Sequence, residues 1–161
     1  MLMIYNRAKF ERIRPYVPYV RGRIKRRRMG AILVPDVGEV VTLNRMLGRV
    51  ALADMSLELF QSTNTPTEGD VLGSYTKCDF GGYAAKPLAR ATWGAATTTT
   101  GITSSSYPVQ QWVCSGGSNS VKGALYIDAD LITLIASDLF ATPRQIAITD
   151  TLSFTPRWEA A

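Results

Sequence analysis

The distribution of charge along the chain most constrains what it can fold into. Residues 1–28 contain ten lysines and arginines and a single glutamate, for a net charge of +9. Residues 29–161 contain eight cations and twelve anions, for a net charge of −4. Because repulsion among its closely spaced cations prevents this segment from forming a packed core of its own, we expect residues 1–30 to be an extended basic arm. The folded domain is therefore expected within residues 31–161.

Residues 31–161 have the pattern of an all-β domain. Short β-type runs recur with turn signals every eight to twelve residues, as in Ser56–Gln61, which alternates polar and apolar side chains. A small β-type run lies at residues 40–43, although residues 42–50 could equally form a helical turn or a loop. Strand and loop are also favoured for Asp130–Phe140, and Pro156 is expected to stop the last strand. We predict an antiparallel β-sandwich of the jelly-roll or immunoglobulin-like type.

The composition argues against most enzymes. The chain has no histidine, which removes the commonest general base, the usual partner of a serine or cysteine nucleophile, and the commonest zinc ligand. No glycine-rich phosphate-binding motif occurs, and Ser104–Ser106 has no base beside it. Asp128 and Asp130 could share one face of a strand and bind a cation, but a loop-capping role is favoured over that one. We therefore predict a non-enzymatic protein without catalytic residues, metal or cofactor.

The cysteines and tryptophans are interpreted as structural residues. Cys78 and Cys114 belong to no ligand-spaced motif, so they are expected to be buried apolar residues, with a disulfide between them left open. Single tryptophans on β-strands are most often core or subunit-contact residues. No apolar run approaches the roughly 20 residues of a membrane span, and no export signal is visible, so we expect cytosolic synthesis and no membrane partner.

The basic arm is the predicted binding segment. Aromatic residues are interleaved with its cations, and two prolines three residues apart favour an extended path. Such a segment can place rings in protein grooves while arginines pair with carboxylates, although stacking on single-stranded nucleic acid is an alternative. A protein partner is favoured over nucleic acid. The predicted partner-binding residues are Arg7, Lys9, Arg12, Arg14, Tyr16, Tyr19, Arg21, Arg23, Lys25, Arg26, Arg27 and Arg28.

Several short motifs, in their order along residues 31–158, resemble small virion proteins of tailed bacteriophages. They are Leu33-Val34-Pro35-Asp36-Val37-Gly38-Glu39, Leu57-Glu58-Leu59-Phe60, Asn64-Thr65-Pro66, Ser74-Tyr75-Thr76, Phe80-Gly81-Gly82-Tyr83-Ala84, Ala91-Thr92-Trp93, Gln111-Trp112-Val113-Cys114, Phe140-Ala141-Thr142-Pro143-Arg144 and Asp150-Thr151-Leu152-Ser153-Phe154-Thr155-Pro156. The resemblance implies a virion component made in the host cytoplasm, but leaves its location in the virion open. The arm departs from this pattern, since the similar proteins begin near the position of Met29.

The resemblance and the arm together give a specific expectation. We expect a capsid cement or decoration protein on the capsid surface, bound to the major capsid protein and assembled as a homotrimer. Several arms per oligomer would lock such an assembly without any chemistry. The alternatives are a tail, neck or fibre-associated virion protein, or a nucleic-acid-binding protein that uses the same basic arm.

Overall fold

The computed structural model describes residues 32–100 and 102–160. Its elements follow one another along the chain in an order dominated by strands. They are β1 (Ile32–Leu33), α1 (Asp36–Met46), β2 (Met55–Phe60), β3 (Lys86–Leu88), β4 (Thr97–Thr99), β5 (Ile102–Ser106), β6 (Gln110–Val113), β7 (Ser118–Asp128), β8 (Thr133–Ala147), β9 (Thr151–Phe154) and β10 (Arg157–Ala160). Single turns of 3-10 helix lie at Leu72–Ser74 and Arg90–Thr92.

A five-stranded antiparallel sheet forms the centre of the fold. Its strand order is β1-β8-β7-β2-β3. The β7–β8 hairpin is its longest ladder, and β7 is buried almost continuously along its second half. A strand covered on both faces needs apolar or small side chains at consecutive positions, which the segment Gly123–Ile127 supplies. The all-β prediction is confirmed at this level.

Two smaller antiparallel sheets complete the described fold. One has the order β10-β5-β4, and the other pairs β6 with β9. Trp112 of β6 is buried in the same apolar cluster as Leu57, Leu59 and Tyr126 of the large sheet, and Trp158 of β10 packs against that cluster. The small sheets therefore contribute to the main core and do not form separate units.

Two consecutive glycines allow one close crossing of the chain. The Gly81 N–H donates to the Gly116 carbonyl at 2.7 Å, and a side chain at Gly81 would lie 2.8 Å from the Gly116 nitrogen. Gly82 has a φ of +84° and lies against the Val113 carbonyl, so a side chain there would be strained as well as crowded. A pair of glycines between aromatic residues, as in Phe80-Gly81-Gly82-Tyr83, is typical of a bulge or a close crossing of the backbone, and the structure shows the close crossing.

The structure corrects two of the local predictions. The β-type run at residues 40–43 is helical, because Asp36–Met46 forms α1, whose packing on the large sheet outweighs the strand preference of Val40 and Val41. Pro156 ends β9 as expected, but β10 follows it and pairs with β5, placing Trp158 beside the ring of Tyr126. The expected strands at residues 56–61, 109–114 and 121–127 are confirmed, as is the turn and strand within Asp130–Phe140.

The predicted arm, residues 1–30, lies outside the described residues. Within the described residues, no helix combines the length and the apolar composition needed to span a bilayer.

Candidate docking surface beside the N-terminal arm

The twelve predicted partner-binding residues, Arg7 to Arg28, all lie outside the described part of the chain, and their roles stay predictions. The point to which the arm is attached is nevertheless defined. β1 pairs with β8 at one edge of the five-stranded sheet, with Ile32 opposite Asp138 and Leu33 opposite Ser137. Ile32, the first described residue, therefore has a fixed position at this edge.

Helix α1 follows β1 after two residues and is anchored at its beginning. The Asp36 N–H donates to the Glu68 carbonyl at 2.9 Å, which satisfies one of the free N–H groups of the first turn. Gly38 is buried directly against the Ile135 carbonyl of β8, where any side chain would collide with the backbone. This glycine therefore allows the helix to approach the sheet closely.

A buried ion pair anchors the other end of α1. The Arg45 guanidinium donates from Nε to Oδ2 and from Nη2 to Oδ1 of Asp128, both at 2.7 Å. The two side chains are only 9% and 3% exposed. Such a two-pronged geometry is the strongest form of arginine–carboxylate pairing, so it holds the helix against the β7–β8 turn.

The outer face of α1 is apolar and exposed. Val40 is 59% exposed, Leu43 56%, Met46 78% and Leu47 65%. Their spacing of three and four residues places them on one side of the helix, opposite the buried Val41. These four residues are called the α1 outer face below. Sequence analysis missed this face, because residues 40–43 were interpreted as a β-type run and a helical turn was only one alternative for residues 42–50.

The predicted loop-capping role of Asp128 is confirmed. Its Oδ1 accepts the N–H groups of Asp130 at 3.1 Å and Leu131 at 2.9 Å, which closes the turn between β7 and β8. Asp130 lies 3.7 Å from Arg45 Nη2 and is mostly exposed. The oxygens of Asp128 are thus used by a cation and two backbone donors of the protein. No group of three or more histidine, cysteine, aspartate or glutamate side chains in the described residues is arranged to hold a metal ion.

A second carboxylate on the same hairpin has a different environment. Oδ1 of Asp138 is buried without a hydrogen-bond partner, and burial raises the pKa of this carboxyl from 3.8 to about 6. Burial, with a contribution from Asp138, also raises the pKa of Tyr126 well above its ordinary value. The Tyr126 ring lies 5.2 Å from that of Trp158, measured between centroids. Sequence alone gave no signal for this cluster, which forms only when β1, β7, β8 and β10 come together.

The tryptophans and cysteines occupy the structural positions expected of them. Trp112 is buried and donates from Nε1 to the Ala84 carbonyl at 2.7 Å, while Trp93 and Trp158 pack against the core. Cys78 and Cys114 are both buried and both free thiols, which resolves the open question of a disulfide. Burial raises the pKa of Cys78 to about 12, so this thiol stays protonated at neutral pH.

Comparison with known proteins adds no identification. No protein-family model, no curated protein and no solved structure matches this chain.

Proposed function

We propose that this chain is a non-enzymatic virion structural protein of a tailed bacteriophage, a capsid cement or decoration protein that binds the capsid surface through its basic N-terminal arm. The single observation that carries the proposal is the segregation of charge, +9 in residues 1–28 and −4 in the rest of the chain. Such a segregation of charge indicates what the protein binds, because the fold itself does not require it.

The attachment of the arm supports this proposal. β1 is held in the edge of the large sheet, and α1 is held by a buried ion pair, so the arm would start from a rigid base. A rigid base keeps the arm at a defined distance from the surface on which the domain sits. In a homotrimer, three arms would then bind the major capsid protein together, with a combined affinity well above that of one arm.

The finer architecture also belongs to this proposal. We infer that the three described sheets form the two layers of a sandwich of the jelly-roll or immunoglobulin-like type. The support is the shared apolar cluster, which contains side chains of the five-stranded sheet together with Trp112 of β6, and against which Phe154 and Trp158 of the smaller sheets pack. A sandwich domain of this kind offers a compact body for a shell-bound protein.

The first test is the copy number of the chain relative to the major capsid protein, measured by quantitative mass spectrometry on virions of the phage whose genome encodes it. A copy number near one per capsid subunit, or one trimer per local threefold axis, supports the cement role. A dozen copies or fewer would overturn the cement role and favour the tail, neck or fibre alternative. Absence from virions would overturn both.

The second test neutralises the arm in the full chain. A variant with Arg21, Arg23, Lys25, Arg26, Arg27 and Arg28 changed to glutamine is compared with a control in which Arg49, Lys122 and Arg144 of the domain are changed to glutamine. We expect the arm variant to lose binding to the virions and the control to retain it, with wild-type binding weakening as salt rises. Equal binding by both variants would contradict the docking role of the arm.

Binding assays with the wild-type chain and the same two variants distinguish the protein-binding function from the nucleic-acid alternative. Two probes are used, polyglutamate as an acidic polypeptide and a single-stranded DNA oligonucleotide. Preference for polyglutamate supports a protein partner. Tighter binding to the oligonucleotide, with a steep loss of affinity in salt, would favour the nucleic-acid function instead.

A further inference from the structure

The α1 outer face is an unusual surface for an exposed helix. Val40, Leu43 and Met46, together with Leu47 directly after the last residue of α1, form a contiguous apolar stripe of about two turns, and each side chain is more than half exposed. Isolated apolar side chains on a surface need no explanation, but a contiguous stripe of four on one helix indicates a surface that another segment covers.

The first turn of the helix adds charge to this stripe. Asp36 and Glu39 are exposed residues of the first turn of α1, so the stripe is acidic at its beginning and apolar beyond it. An occupant that matches the whole face would combine apolar side chains with cations. An apolar partner without cations would leave the acidic end unmatched.

The chain itself contains a segment of this composition. Residues 1–13 include eight apolar residues, and their three cations against one anion give a net charge of +2. Residues 14–28 carry seven cations and only five apolar residues, so they are less suited to an apolar stripe. The matching composition therefore lies at the beginning of the chain.

Chain connectivity brings this segment within reach of α1. Residues 14–31 lie between it and β1, and β1 is separated from α1 by only Val34 and Pro35. Eighteen linking residues can span up to about 60 Å, whereas a helix of the length of α1 measures about 16 Å. Tethering also gives the segment a high effective concentration at the helix, which a separate partner would lack.

We propose that residues 1–13 dock on the α1 outer face of the same molecule. Their apolar side chains cover Val40, Leu43, Met46 and Leu47, and their cations lie toward Asp36 and Glu39. This inference goes beyond the proposed function. One consequence does rest on that function: Arg7, Lys9 and Arg12 would then be used by Asp36 and Glu39 of the same molecule, so that binding of the partner is left to the cations of residues 14–28.

The test measures how well the α1 outer face is shielded. The cysteine of a Leu43→Cys variant of the full chain is labelled with a maleimide reagent. Its labelling rate is compared with that of the same variant in which Leu2, Ile4, Phe10 and Ile13 are also changed to serine. We expect labelling about tenfold slower with the wild-type segment, as for a face covered in about nine-tenths of the molecules. Equal rates in the two backgrounds would overturn the proposal.

A matched control and a second site keep the result decisive. Ile148 is 59% exposed, close to the 56% of Leu43, but lies between β8 and β9, so Ile148→Cys is expected to react at one rate in both backgrounds. Leu47→Cys repeats the test at a second position, in case a cysteine at the first weakens docking. The native thiols are buried and serve as the unreactive background.

Protein concentration separates the same molecule from a second copy. Docking within one molecule predicts a protection of Leu43→Cys that is unchanged on dilution, whereas protection that is lost on dilution would overturn the proposal in favour of a second copy. The labelling experiment reads only the coverage of α1. The proposed function is read by virion binding of the variant with a neutralised arm, so failure of one is distinguishable from failure of the other.

Discussion

The β7–β8 hairpin contains two aspartates whose surroundings differ sharply. At one end, Asp128 is buried but paired with Arg45 and capped by two backbone N–H groups. Ten residues later, Asp138 has a buried oxygen without a hydrogen bond, and none of the ion pairs among residues 32–100 and 102–160 includes it. A buried charge is stable only when its partners replace the lost water. The first aspartate therefore holds the fold together, and the second carries a cost that the fold tolerates.

The largest expected effect comes from removing the partner of Asp128. Arg45→Met keeps much of the apolar side-chain length but leaves a buried carboxylate without its cation. Breaking a buried pair from one side costs about 3–5 kcal/mol. We expect the free energy of unfolding, measured by urea denaturation, to fall by an amount in that range.

Two further variants show whether the lost pairing is the cause. Arg45→Lys keeps the charge but loses the two-pronged geometry, so we expect a smaller loss of stability. Adding Asp128→Asn to Arg45→Met removes the unpaired charge and keeps an oxygen for the two backbone donors, so part of the lost stability should return. A loss under about 1 kcal/mol in Arg45→Met would show that the pair does not anchor α1.

A substitution at Asp138 is expected to raise the free energy of unfolding instead of lowering it. Its pKa is raised in the folded protein from 3.8 to about 6, so the folded state binds more protons than the unfolded state between these values. Stability should therefore fall as the pH rises from about 4 to about 6, and stay lower above that range. Asp138→Asn removes this penalty, and we expect a gain of about 1–2 kcal/mol in the free energy of unfolding at pH 8.

The pH profile is the control for this prediction. In Asp138→Asn the decrease in stability between about pH 4 and pH 6 should be absent, so the variant and the wild type converge toward the acidic end. Urea denaturation at several pH values measures both curves. A parallel displacement of the two curves would mean that the substitution acts through packing and not through the charge.

The same contrast shows which parts of the molecule could be predicted from sequence. Local patterns are sufficient where a segment's own residues decide the outcome: the alternation around Leu57 and Leu59 predicts a strand, and Gly81-Gly82 indicates a bulge or a close crossing. They are insufficient for α1, where Gly38 and Arg45 find their partners on β8 and at the end of β7. Contacts between residues 83 positions apart leave no mark in a local pattern.

The candidate docking surface likewise has one part that the sequence predicts and one part that only the structure reveals. The basic arm could be predicted from charge alone, because charge is counted along the chain, and it stays a prediction. The α1 outer face became visible only once the segment proved to be helical, since Val40, Leu43 and Leu47 share a side at helical spacing and not at the two-residue spacing of a strand. The isolation of Asp138 likewise depends on which strands surround it.

The smallest expected effect concerns an ion pair nearer the surface. Lys77 Nζ lies 2.7 Å from Oε2 of Glu58, but the lysine side chain is 42% exposed. Water competes for such a pair, so we expect a coupling of under about 1 kcal/mol in a double-mutant cycle of Glu58→Gln and Lys77→Met, falling further as salt is raised. The Arg45→Met and Asp128→Asn cycle in the same buffer is the comparison. A Glu58–Lys77 coupling equal to that of the buried pair would show that burial does not set the strength of these ion pairs. The difference between Asp128 and Asp138 would then have to be explained by the geometry of their contacts alone.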